Sequence, residues 1–345
     1  MTSPMQPVQS KQPALNIVWL QAGGCGGCSM AFLGADTRDL TGLLEGAGLT
    51  LAFHPCLSEE SGAEALALLD DYRQGRRPLD ILCVEGAIQR GPHGTGAFHR
   101  FAGTGKPMAH VVSALAERAG YVLAIGSCTA FGGINAAGEN YTESCGLQYE
   151  GSEKGGLLGA AWRSRAGLPV INVAGCPTHD GWVTETLMMI AEGALTLDQL
   201  DNLARPRVFA DTLVHHGCPR NEFYEFKASA EGASEQGCLM ENLGCMGTQA
   251  HADCNVRPWN GVGSCVRGGF PCIACTEPGF ESPQHPFLET PKIAGIPTGL
   301  PSDMPKAWFV ALAALSKSAT PKRVRENARA DRVVTPPAVK RRREK

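Results

Sequence analysis

Asn16-Ile-Val-Trp-Leu-Gln-Ala-Gly-Gly-Cys25-Gly-Gly-Cys28-Ser-Met-Ala-Phe-Leu33 is the stretch on which the reading of the fold turns. Its first half is an apolar run rich in β-branched and aromatic side chains, the composition of a buried strand. The run stops at a turn with glycines at 23, 24, 26 and 27, and a helical pattern begins directly after it. Glycine leaves the backbone free to curl there, and its N–H groups can approach sulfur or another anion with no Cβ in the way. Two thiols therefore stand on a strand-to-helix turn. In open α/β sheets that is where ligands gather, at the carboxyl ends of the strands.

The spacing Cys25-x-x-Cys28 alone fits a thioredoxin-like dithiol as well as it fits half of a metal-ligand set. Two further strand-like runs separate these readings. Tyr121-Val-Leu-Ala-Ile-Gly126 is followed at once by Cys128, and Pro169-Val-Ile-Asn-Val-Ala174 by Gly175-Cys176-Pro177. Three strand ends thus deliver four cysteines. Dithiol exchange needs two sulfurs, whereas an iron–sulfur cube takes four thiolates from several directions, so the cluster reading leads.

More strands are expected at 49–54 and 80–85, and helices within 38–48, 58–74 and 105–120. The alternation of strand and helix runs on to about residue 195. It predicts an α/β fold with a doubly wound, mostly parallel sheet. Ser58-Glu-Glu-Ser61-Gly-Ala-Glu64 reads as the capping signal of the helix ending near Gln74. Gly91-Pro-His-Gly94-Thr-Gly96 lacks the spacing and the Lys-Ser/Thr ending of a nucleotide loop and reads as a surface turn. Cys56, Cys83 and Cys145 lie in or beside apolar runs, as buried structural thiols do.

Beyond about residue 205 the strand pattern gives way to a loop-rich segment carrying His215, Cys218, Cys238, Cys245, Cys254, Cys265, Cys272 and Cys275. Such a segment builds little core unaided, and bound metal would supply the missing cross-links. Two tetrahedral zincs are the competing account of these eight donors, but zinc would leave the four thiols of the first domain unexplained. Composition sets the frame: 345 residues, a formal charge of -3 that implies no nucleic-acid partner, and fourteen cysteines. The first thirteen residues carry no apolar signal core and no twin arginine, and no window is long and apolar enough for a membrane span. A cytoplasmic, reducing setting is expected, which makes a disulfide framework improbable and metal the better account of the sulfur.

With these residues in hand, the chain resembles the small, electron-transferring subunit of nickel–iron hydrogenases over about 15–310. The resemblance implies a flavodoxin-like first domain (15–200) after a flexible N-terminus (1–14). A loop-rich iron–sulfur domain (201–300) and a C-terminal extension with a basic tail (301–345) follow. It implies a proximal [4Fe–4S] cluster on Cys25, Cys28, Cys128 and Cys176, and a distal [4Fe–4S] cluster on His215, Cys218, Cys238 and Cys245. A medial cluster is implied on Cys254, Cys272 and Cys275. Many periplasmic members have proline where this chain has Cys265 and hold [3Fe–4S] there; a fourth thiolate makes [4Fe–4S] the expectation here, with [3Fe–4S] the alternative. Cys238 and Cys245 are one residue further apart than is commonest in the family. Gly27 and Gly133 stand where members with a six-cysteine proximal cluster carry cysteine, so that cluster is not expected. Glu85 is a candidate for tuning or proton handling near the proximal site, a solvated or structurally hydrogen-bonded glutamate being the equal alternative.

The resemblance also implies a separate large subunit that holds the nickel–iron centre and splits hydrogen. A related quinone-oxidoreductase subunit shares the first-domain cluster but lacks the second cysteine-rich domain. The Cys-Gly-Gly-Cys-Ser-Met start and the run His-Gly-Cys-Pro-Arg-Asn-Glu-Phe-Tyr-Glu-Phe look most like cytoplasmic hydrogen-sensing (regulatory) hydrogenases, with cytoplasmic uptake hydrogenases as close relatives. From Lys317 to Lys345 eleven basic residues face three acidic ones. A disordered solubilising end is the plain reading of that run; docking to an acidic partner, such as a sensor histidine kinase, is the functional one.

Overall fold

The computed structural model describes residues 14–35, 39–283, 285–298, 300 and 303–338. The N-terminal segment 1–13 and the last seven residues, with five of the eleven basic side chains of the tail, lie outside the described residues. Five strands make the central sheet: β1 (Leu15–Gln21), β2 (Leu49–Phe53), β3 (Ile81–Glu85), β4 (Tyr121–Ile125) and β5 (Ile171–Val173). They are all parallel, in the order β2-β1-β3-β4-β5, which is the flavodoxin-like winding. Helices α1 (Gly27–Leu33), α2 (Leu40–Gly46), α3 (Gly62–Arg73), α4 (Met108–Ala116), α5 (Ser127–Phe131) and α6 (Asp180–Ala191) fill the connections.

The apolar run in β1 is continuous because both faces of the sheet are covered. Strand side chains alternate, so Ile17 and Trp19 enter one core with Cys83, Leu123 and Ile171, while Val18 and Leu20 enter the other with Leu82, Val84 and Val122. The first core is closed by Phe32 of α1, Leu44 of α2, and Trp182 and Leu187 of α6. The second is closed by Leu69 and Tyr72 of α3 and by Val112 and Leu115 of α4. Each large apolar side chain fully buried in this way contributes about 1.5–3 kcal/mol.

Regular structure thins after α6. Short helices α7 (Arg207–Ala210) and α8 (Asn221–Glu225) precede a long irregular stretch, and among the described residues no helix or strand lies between Glu225 and Lys292. Helices α9 (Lys306–Ala319) and α10 (Lys322–Ala328) follow. The irregular region builds its main contacts on the first core. Its Phe209, Val214, Ala250, Ala252, Cys272 and Ala274 join that core, and Phe209 stacks on Trp182 with ring centroids 4.5 Å apart. Buried Arg205 pins the same junction, pairing with Asp201 at 2.8 Å and Glu277 at 2.9 Å and donating to the Thr276 carbonyl at 3.0 Å. Among the described residues no helix is long and apolar enough to cross a membrane.

Two local expectations are corrected. The capping signal does not operate as read, because α3 begins at Gly62 behind Ser61, whose side chain makes no cap bond, while the Ser58 hydroxyl accepts the His54 N–H at 2.9 Å instead. Cys56 is exposed rather than buried, since it falls on the turn after β2; Cys83 and Cys145 are buried as expected. The turn at 91–96 is tied down, with the N–H groups of His93 and Gly94 donating to the Glu143 carboxylate at 2.6 and 2.9 Å.

Candidate metal centres

Because the strands are parallel, the residues following β1, β4 and β5 emerge at one edge of the sheet, and Cys25, Cys28, Cys128 and Cys176 meet there. Their thiols act electrostatically on one another: Cys28 with Cys128 and Cys176, and Cys25 with both of those. Burial drives the Cys28 thiol far above the usual range and holds Cys176 up at about 11, with the neighbouring sulfurs adding to the effect. The Cys28 sulfur accepts the Thr178 N–H at 3.5 Å. Gly126 is the residue that makes room: its φ is +84°, and a Cβ there would stand 2.5 Å from that sulfur. A Cβ at Gly27 or at Gly133 would lie 3.1 Å from the sulfur of Cys25 or of Cys128, and neither position carries an extra thiol.

Glu85 ends β3 inside this edge and is 3 % exposed. Its carboxylate accepts the N–H groups of Cys28 and Ser29 at 2.9 and 3.1 Å, the Ser29 hydroxyl at 2.5 Å and the Trp19 indole N–H at 3.2 Å. Those amides open α1, so Glu85 closes the helix end that carries Cys28.

In the second region His215, Cys218, Cys238 and Cys245 line one cavity with Val214, Leu239 and Val266. Burial holds His215 below its ordinary value, in the neutral form that ligates, and its ring meets the Tyr224 ring edge-on at 4.3 Å. Burial pushes Cys238 up to about 12 and raises Cys218 and Cys245. The Arg220 guanidinium lines the same cavity and is fixed by the carbonyls of Val266, Glu235 and Gly237 at 3.0, 2.6 and 2.7 Å. The long interval from 238 to 245 folds as a turn in which the N–H groups of Leu243 and Cys245 both donate to the Leu239 carbonyl.

Cys254, Cys265, Cys272 and Cys275 line a second, mostly apolar cavity together with Trp182, Trp259 and Ile273, and Cys176 of the first site reaches its wall. Burial raises all four thiols, Cys254 and Cys275 to about 12 each. This cavity lies between the other two sites. Cys275 interacts with Cys176 on one side, and Cys272 donates its N–H to the Cys245 sulfur at 3.4 Å on the other.

The donor sets suit iron–sulfur clusters. Each gathers four Cys or His donors; Cys25 and Cys265 are exposed, the other thiols are partly or fully buried, and a bound cationic group would compensate the cost of that burial as the thiols deprotonate. Among the described residues no three His, Cys, Asp or Glu side chains converge closely enough to hold a single ion. The dithiol reading fails on numbers, since Cys25 and Cys28 face two further thiols. Ser127 and Arg220 were not singled out by sequence reasoning, although each lies within two residues of a predicted ligand.

Two family models match. The model described as "NADH ubiquinone oxidoreductase, 20 Kd subunit" covers residues 25–190, and the model of the C-terminal part of the NiFe/NiFeSe hydrogenase small subunit covers 210–288. The chain is 31 % identical over 305 residues to the F420 non-reducing hydrogenase II small subunit of Methanosarcina mazei, covering 81 % of this chain and 77 % of that one. It is 32 % identical over 289 residues to the periplasmic [NiFeSe] hydrogenase small subunit of Desulfomicrobium baculatum, covering 79 % and 86 %. Among solved structures, the actinobacterial-type NiFe-hydrogenase of Ralstonia eutropha H16 superposes with a TM-score of 0.72 at 29 % identity, over 90 % of this chain and 92 % of that one. The parallel sheet with cysteines at its edge, the cysteine-lined cavities beyond it and these relatives agree, and the chain belongs to the small-subunit family of nickel–iron hydrogenases.

Proposed function

We propose that this chain relays electrons from hydrogen oxidation through three sites. Cys25, Cys28, Cys128 and Cys176 are the proximal ligands, Cys254, Cys265, Cys272 and Cys275 the medial, and His215, Cys218, Cys238 and Cys245 the distal. The observation that carries the reading is the order in space: the medial cavity shares Cys176 with the proximal site in its wall, and Cys272 touches Cys245 of the distal one. When bound, [4Fe–4S] clusters supply one-electron redox capacity at each site. The chain's residues hold and tune them. Glu85 orients the Cys28 helix end, the apolar linings of the medial and distal cavities shield their buried thiols from water, and the fixed positive charge of Arg220 makes the distal end the more readily reduced. The nickel–iron centre belongs to the large subunit with which this chain pairs.

Hydrogen sensing in the cytoplasm is the proposed use, supported by the His216–Phe226 run, with a signalling partner held by the basic segment that continues past residue 338. A catalytic uptake role is the second reading. It is favoured by a relative named as an uptake hydrogenase small subunit, that of Bradyrhizobium diazoefficiens, at 27 % identity. The test is iron, acid-labile sulfide and nickel on the anaerobically purified complex, followed by turnover with dye acceptors. Roughly twelve irons in this subunit and nickel in its partner support the relay, and zinc with almost no iron overturns it. Low turnover with capture of a signalling kinase supports sensing; rapid turnover supports uptake.

A further inference from the structure

Ser127 sits where three ligand-bearing loops meet. It follows β4, immediately before Cys128, and is 1 % exposed. Its hydroxyl accepts the Gly175 N–H at 2.9 Å and donates to the Cys275 carbonyl, 148 residues further along the chain. The Ser127 N–H in turn donates to the Gly175 carbonyl at 2.9 Å. Gly175 precedes Cys176, so one hydroxyl joins the backbones carrying two proximal ligands to the backbone carrying a medial one. A serine at the start of a helix ordinarily satisfies its own turn. This one reaches across the boundary between the sheet domain and the irregular region. The Cys275 and Cys176 thiols lie close enough to act on each other, and the cavity wall beside them is apolar.

We propose that Ser127 is a positioning residue: its hydroxyl sets the separation and relative orientation of the proximal and medial ligand loops, and with them the rate of electron exchange between the two sites. In that exchange one electron leaves the proximal group, which is oxidised, and enters the medial group, which is reduced; Ser127 itself neither gains nor loses a proton. The inference rests on the three-site reading, and the experiment separates the two.

Ser127→Ala and Ser127→Thr are made in the complete complex with its large subunit. Each is compared with wild type for iron content, for magnetic coupling between the reduced proximal and medial sites by electron paramagnetic resonance, and for electron exchange between them after flash reduction. Ser127→Ala is expected to keep its iron, to show an altered coupling and to slow the exchange several-fold, with Ser127→Thr restoring both. Coupling and rate unchanged in a fully loaded Ser127→Ala complex overturn the proposal. Should Ser127→Ala fail to load, hydrogen exchange on the wild-type complex decides. A Gly175 amide that exchanges only on global unfolding supports the tie, and one that exchanges as fast as the amides of exposed loops overturns it. A wild-type complex without iron would end the three-site reading instead.

Discussion

Gly126→Ala is the sharpest probe of the proximal site. The Gly126 backbone has φ +84° and ψ +159°, a region almost restricted to glycine, in which alanine costs about 1–3 kcal/mol. The new Cβ would stand 2.5 Å from the Cys28 sulfur, against roughly 3.5–4.0 Å for an ordinary contact, so the sulfur must retreat by about 1 Å. Metal ligands tolerate about 0.2 Å, so ligation fails before folding does. The strain itself is small beside the roughly 5–15 kcal/mol by which a domain is stable. The expected outcome is a folded complex whose iron falls by about a third, from roughly twelve to roughly eight per small subunit, with the medial and distal signals intact. Iron and sulfide analysis, circular dichroism and electron paramagnetic resonance of the reduced complex check it. A Gly126→Ala complex with full iron and an unshifted proximal signal would refute the placement of Cys28 against Gly126.

Cys265→Pro should convert the medial site to [3Fe–4S], lowering iron by roughly one per subunit and giving a signal in the oxidised state; among the described residues the Cys265 N–H donates to no backbone carbonyl, so proline sacrifices no such bond. Unchanged iron would remove Cys265 from the ligand set. Arg220→Met should make the distal potential more negative, a lost charge interaction of about 1 kcal/mol corresponding to roughly 40 mV for one electron. Redox titration reads this, and a distal potential equal to wild type would mean the guanidinium serves only to hold the three carbonyls. Glu85→Ala leaves the N–H groups of Cys28, Ser29 and Trp19 without their buried acceptor, at about 1–3 kcal/mol each. Its complex should melt well below wild type and Glu85→Gln, which keeps one acceptor oxygen, in between; equal melting points for all three would dismiss the helix-closing role.

The first half of the chain was legible because its signals are local. The apolar run at 17–20, the glycines and paired thiols after it, and the single cysteines behind two later strands follow from short stretches read alone. A parallel sheet then brings those strand ends together without further information. The second half resists such reading because its donors sit on loops with no period. There the resemblance allotted His215 and the seven cysteines to two sets, and the cavities gather them in the same two sets. Arg220 and Ser127 escaped because their partners are distant in sequence: a carbonyl at Val266 for one and at Cys275 for the other. The misread capping signal shows the converse, in which Ser58 had a nearer acceptor role on the His54 turn than on any helix.

The contact of Cys272 with Cys245, and of Cys275 with Cys176, bears on how the protein matures. On the ribosome, the proposed ligands of both outer sites emerge before any of the segment 254–275, yet that segment lies between them. The middle of the conductor is therefore closed by the last ligand-bearing part to be synthesised. A chain stalled before Cys254 would present two separate ends with nothing spanning them, so electrical continuity doubles as a record of translation past the last ligand.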